Sequence, residues 1–175
     1  MTGAQPLVAT PSQTVGPFFH FALTPVAAGH VAGAVEGDRI RLRITVTDGD
    51  GRVVPDAVLE LWVAHGSVSL FVRMPTGDNG TCECETARPG CGSDATGAQQ
   101  APHINVCLFA RGLLRQLHTR IYFTGDPSLD ADPVLALVPA DRRRTLLATA
   151  DDTHPGRWRF HIRLQGPEET AFFDA

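Results

Sequence analysis

The sequence contains no lysine; all 15 of its basic residues are arginine. A chain without an ammonium side chain cannot form a Schiff base with a carbonyl substrate, nor supply the phosphate-binding lysine of a P-loop. Tyrosine is nearly as scarce, with Tyr122 the only one. No stretch reaches the roughly 20 apolar residues of a membrane span. Residues 1–17 are polar and lack the charged start and apolar run of a secretory signal. The expectation is a cytoplasmic protein with no membrane partner, its four cysteines (Cys82, Cys84, Cys91 and Cys107) reduced. A net charge of −4 argues against nucleic acid as a partner.

What is present suits a single globular domain. The chain has 175 residues, 43% of them hydrophobic, with 17 Gly and 13 Pro. Enough apolar surface for one core, cut by many turn residues, favours short strands over a helical bundle. Arg39-Ile-Arg-Leu-Arg-Ile-Thr-Val-Thr47 alternates strictly, and residues 157–165 do the same with Trp158, Phe160, Ile162 and Leu164 inward. Further strands are expected over residues 58–62, 67–73, 81–86, 103–109 and 118–123, with residues 88–101 as loop. Residues 127–150 alone have helical character, with Pro133 near one start and Asp141 before an Arg-, Leu- and Ala-rich run. The expected fold is all-β: a β-sandwich of short strands over residues 38–175, with a minor helical insertion and an extended N-terminal arm over residues 1–37. That arm carries Phe18, Phe19 and Phe21, which need a surface to bury against.

Few motifs survive inspection. Asp48-Gly-Asp-Gly51 resembles a calcium loop, but Val53 and Leu59 stand where an EF-hand needs Gly and Glu, so it reads as a tight turn. Cys82, Cys84, Cys91 and His103 could mark a zinc site, yet Cys-x-Cys is not a usual structural-zinc spacing, and Cys82 and Cys84 occupy the apolar phase of a strand. His103-Ile-Asn105 places two side chains on one face of a strand. A neutral amide is a poor partner for a transition metal, so a histidine bonded to backbone is the better reading from residue chemistry alone. Arg41, Arg43, Arg157, Arg159 and Arg163 lie on the outward phase of two strands and read as solvated or ion-paired.

Several segments taken together resemble the intradiol ring-cleavage dioxygenases, and among them the α-type subunit of the two-subunit members. They are Thr10-Pro-Ser-Gln-Thr-Val-Gly-Pro-Phe18, Asp48-Gly-Asp-Gly51, Val54-Pro-Asp-Ala57, Leu59-Glu-Leu-Trp62, Ala101-Pro-His-Ile-Asn-Val106, Phe109-Ala-Arg-Gly112, Thr119-Arg-Ile-Tyr-Phe123, Asp132-Pro-Val-Leu135, Arg159-Phe-His-Ile-Arg-Leu-Gln-Gly166 and Glu169-Thr-Ala-Phe-Phe-Asp174. The resemblance implies a ferric iron held by two Tyr and two His. The corresponding positions here are Val63-Ala-His-Gly-Ser67, Cys91, His103 and Asn105, so three of the four ligands are missing. His103 and Asn105 are then remnants rather than ligands, and this chain binds no metal.

The resemblance further implies that the ferric iron is carried by a homologous β subunit, in a large αβ hetero-oligomer. The substrates would be dioxygen and a catechol acid, protocatechuate, opened to 3-carboxy-cis,cis-muconate. This chain would contribute Thr14, Gly16, Pro17 and Arg111 to the substrate pocket. The chemistry is consistent: Gly-Pro is a rigid bend whose backbone can approach a flat ring, and an arginine can meet an anionic acid. The rival expectations are a β-sandwich binding module with no enzymatic partner, and a stand-alone metalloenzyme built on the Cys/His cluster.

Overall fold

The structure is a computed structural model that describes residues 8–24, 38–65, 68–93 and 96–174. Ten strands run in the order β1 (Arg39–Thr47), β2 (Val58–His65), β3 (Val68–Pro75), β4 (Thr81–Ala87), β5 (Gly92–Ser93), β6 (Gln99–Gln100), β7 (His103–Phe109), β8 (Leu117–Phe123), β9 (Leu147–Ala150) and β10 (Arg157–Arg163). Two short helices, α1 (Phe19–Leu23) and α2 (Pro133–Leu137), and two 3-10 turns complete the described chain. Eight strands form one mixed sheet in the order β3-β2-β7-β8-β9-β10-β1-β4. It folds over on itself as a sandwich, and its outer strands β3 and β4 come close enough to make it nearly a barrel.

The alternation of β1 explains its place. Leu42, Ile44 and Val46 are fully buried, and they lie opposite Trp158, Phe160 and Ile162 of β10, with which β1 runs parallel. On the other side Leu42 faces Cys84 and Ile44 faces Cys82 of antiparallel β4. Those two cysteines are 3% and 7% exposed, so they serve as small apolar side chains. The outward phase carries charge: Arg41 pairs with Glu85 and Arg43 with Glu83 across the same two strands. The other half of the sandwich buries Leu59, Leu61 and Val63 of β2 with Ile104, Val106 and Leu108 of β7 and Ile121 and Phe123 of β8.

Three local features differ from the sequence expectation. Residues 147–150, expected to be helical, form β9. It runs parallel to β8 (Tyr122↔Leu147) and antiparallel to β10 (Arg159↔Thr149), and so joins the two halves of the sandwich. The pairing partners on both sides outweigh the helical preference of an Arg/Leu/Ala run. The expected loop over residues 88–101 contains the β5–β6 pair, and the arm contains α1. The arm's residues 25–37 and the expected strand start at Ser67 lie outside the described residues.

The insertion is anchored by Asp132, 1% exposed. It is the N-cap of α2, accepting from the amides of Val134 (2.9 Å) and Leu135 (2.7 Å), with Pro133 at the first helical position. The same carboxylate accepts from the Ala101 amide (2.8 Å) and the Tyr122 hydroxyl (3.1 Å). Replacing it leaves several buried donors without partners. Asp132→Ala should therefore lower stability by about 3 kcal/mol or more in urea unfolding, and Asp132→Asn by less. A change below about 0.5 kcal/mol for the alanine variant would show that the cap is dispensable.

Candidate functional site

Two regions carry the residues singled out from the sequence, and they adjoin. The first is the outer face of β2, β7 and β8. There Trp62, Asn105, Phe109, Gln116, His118 and Arg120 line an open groove of about 580 Å3. The second is the turn that follows β7, on which the arm lies.

His103 opens β7, partly buried, its ring 5.7 Å from that of Tyr122 on β8. Its Nδ1 lies 2.8 Å from the Ala101 carbonyl. A carbonyl only accepts, so Nδ1 carries the hydrogen in this contact. Burial lowers the His103 pKa from its ordinary value near 6.5, and nearby Arg120 pushes it the same way, against the opposing pull of the Ala101 carbonyl and Asp132. Asn105 lies two residues on, exposed, opposite Trp62 on β2 and Arg120 on β8. Cys91 is exposed in the chain before β5. Gly66 and Ser67, in the segment where another ligand would fall, lie outside the described residues.

A ferric site with two phenolates and two imidazoles does not fit these residues. The single phenol, Tyr122, is fully buried and donates to Asp132, and burial pushes its pKa up to about 12. It is therefore a protonated, committed hydrogen-bond donor, and Asn105 has no anionic form to offer a metal. Nor do the buried Cys82 and Cys84 supply thiolates: burial drives Cys84 up to about 12 and Cys82 in the same direction. Among the described residues no three His, Cys, Asp or Glu side chains gather around a point that could hold a metal ion.

The arm residues fit together better. Ala110 to Leu113 form a tight turn, with the Leu113 amide bonded to the Ala110 carbonyl (3.3 Å). Its third residue, Gly112, has φ +90°, the left-handed region that glycine enters without strain. Ala110 is buried, and Arg111 is thrown outward with 56% of its side chain exposed. Thr14 reaches this turn from 98 residues away: its hydroxyl accepts from the Gly112 amide at 2.7 Å. Phe19 packs on Phe109 with ring centroids 5.5 Å apart, fastening the other end of the arm segment. Gly16 and Pro17 lie exposed between these two attachments. Thr14 and Arg111 therefore come together on one turn. Sequence reasoning missed Asp56, whose carboxylate accepts from Arg111 Nε; Val54-Pro-Asp-Ala57 carries no hint of a partner 55 residues further on.

A fold of this shape occurs among solved dioxygenases. Hydroxyquinol 1,2-dioxygenase from Pseudomonas putida DLL-E4 superposes with a TM-score of 0.64 at 20% identity, over 91% of this chain and 67% of that one. The fold is thus one shared with solved aromatic-ring 1,2-dioxygenases. No family model matches the chain. A curated relative, the protocatechuate 3,4-dioxygenase alpha chain of Burkholderia cepacia, is 40% identical over 94% of this chain and 96% of its own length. The protocatechuate 3,4-dioxygenase beta chain of the same organism is 26% identical over 77% of this chain and 67% of its own. The chain belongs to the family of protocatechuate 3,4-dioxygenase alpha chains. No helix among the described residues is long and apolar enough to cross a membrane.

The lowered pKa of His103 has a consequence for stability. As pH falls, the unfolded chain takes up this proton first, near 6.5, while the folded chain resists it. The contribution is complete above about pH 6.5 and is lost as pH drops below that value toward the folded pKa. His161, also lowered by burial, works in the same direction. His103→Gln should therefore flatten the fall in urea midpoint between pH 7.5 and 5.5. Parallel slopes for parent and variant would remove His103 from the account.

Proposed function

We propose that this chain is the non-iron subunit of a protocatechuate 3,4-dioxygenase, and that the ferric iron is held by a homologous β subunit. Thr14, Gly16, Pro17 and Arg111 form its share of the substrate pocket. The complex inserts both atoms of dioxygen into protocatechuate between its hydroxyls and releases 3-carboxy-cis,cis-muconate. The observation that carries this reading is the attachment of the arm, through Thr14, to the turn that presents Arg111.

Further features support it. Phe18 and Phe21 are 76% and 70% exposed, so the arm's aromatic surface is only partly covered by its own chain. Gly16 is not demanded by this chain's fold: its φ is not left-handed, and a Cβ there would meet nothing within 4 Å. A glycine with open space above it leaves room for a flat ring held from the other side. Arg111 offers a fixed cation for the carboxylate of the catechol acid. The β-chain relative is 26% identical over 77% of this chain, as a homologous partner would be.

Co-expression with a β chain is expected to give a coloured iron complex that cleaves protocatechuate, whereas this chain alone is colourless and inactive. A monomer that ignores the β chain, or stoichiometric iron on this chain alone, would overturn the reading. Within the complex, Arg111→Ala should cut kcat/KM for protocatechuate by about 10- to 100-fold, the worth of a charge-assisted hydrogen-bonded contact, and barely change that for unsubstituted catechol. Gly16→Ala should keep the parent melting temperature yet lower activity by on the order of tenfold, because its methyl group enters the space left for the ring.

A further inference from the structure

We propose that Asp56 is a positioning residue for Arg111, holding the guanidinium by Nε so that its two terminal nitrogens form a fixed fork for an incoming carboxylate. The inference rests on the pocket role of Arg111 argued above and adds the residue that sets its geometry.

The two partners differ in the way an anchor and a probe should. Asp56 is 15% exposed and Arg111 is 56% exposed, so the carboxylate end is sheltered and the cation reaches outward. The backbone around Asp56 is held on both sides. Thr76, 3% exposed, has its hydroxyl bonded to the Val54 carbonyl (2.7 Å) and the Ala57 amide (3.0 Å), and its own amide bonded to the Ala57 carbonyl (2.9 Å). Arg111 is held at its own end by the turn and by the contact of Thr14 with Gly112.

Guanidinium is planar, so fixing Nε against an immobile acceptor fixes the plane and the direction of the fork. Among the described residues Asp56 is the hydrogen-bond partner of Arg111, and that bond uses Nε alone. The terminal donors therefore stay available for the bidentate geometry that a carboxylate prefers. Without Asp56, an arginine this exposed would have to be ordered on each binding event. Against this stands the repulsion between Asp56 and a substrate carboxylate, which the guanidinium lying between the two offsets.

The test uses the complex with the β chain and compares KM and kcat for protocatechuate and for catechol. Asp56→Ala is expected to raise KM for protocatechuate about fivefold, the penalty of ordering one long side chain, with kcat within about twofold and KM for catechol unmoved. Asp56→Asn keeps an acceptor for Nε and drops the charge, so it should stay closer to the parent. In the Arg111→Ala background Asp56→Ala should add nothing. If Asp56→Ala does not fold, Asp56→Ser takes its place, its hydroxyl too short to reach Nε.

A selective loss in Arg111→Ala with a silent or merely additive Asp56→Ala overturns the positioning role and leaves the Arg111 reading standing. Equal losses for both substrates in Arg111→Ala overturn the carboxylate reading, and the role of Asp56 with it.

Discussion

A carboxylate shut away from water must have its charge answered by donors, and the way Asp132 is answered organises much of the molecule. Its donors come from three places in the chain: Ala101 just before β7, Tyr122 on β8, and the first turn of α2. The contact with Ala101 sets the start of β7, and so where His103 and Asn105 stand. The contact with α2 seats the insertion, which ends in β9, the strand that joins the two halves of the sandwich. The hydroxyl of Tyr122 is consumed in the process. The chain's one phenol is thus a structural donor, sunk in a small second core with Ala101, Leu135, Val138 and Leu146.

The arm obeys the opposite logic. Among the described residues it is attached by one hydrogen bond to a turn and one aromatic contact, and two of its three phenylalanines stay exposed. Covering a side chain of that size contributes on the order of 2 kcal/mol, so Phe18 and Phe21 together could supply a useful part of an association energy. A segment held at Thr14 and at Phe19 needs less ordering when a partner covers it. The turn at Gly112 serves both purposes, since it anchors Thr14 and projects Arg111 from the same few residues.

What the sequence showed follows from which interactions are local. The alternation of β1 and β10 is visible because each strand buries one face, and the structure pairs the two side by side in matching phase. The cap at Asp132-Pro133 is a local signal too, although its reach to Ala101 and Tyr122 is not. The segment that becomes β9 is hidden because its four residues gain from strand geometry only when β8 and β10 already flank them. The pair Arg111–Asp56 is invisible for the same reason: neither residue departs from an ordinary surface charge until the fold brings them together. At the candidate site, Thr14 and Arg111 stand out only by likeness to a family, and the link between them is purely tertiary.

A sandwich of this kind can lose a metal centre without losing its fold, and the side-chain period of a strand explains how. In β7, Ile104, Val106 and Leu108 face the core, while His103 and Asn105 occupy the other phase. Exchanging an imidazole for an amide at 105 changes an exposed side chain and no core contact. Position 91 is likewise exposed and lies outside the eight-stranded sheet. In β7 the packing that specifies the fold and the positions that would specify iron thus lie on opposite faces. The turn bearing Arg111 belongs to a third group: it lies beyond the end of β7, with Ala110 packed inward and the guanidinium outward. Three sets of residues on one scaffold can therefore change almost independently. On the reading proposed above, that independence would let two homologous chains divide one active site, one keeping the metal and the other the wall that faces it.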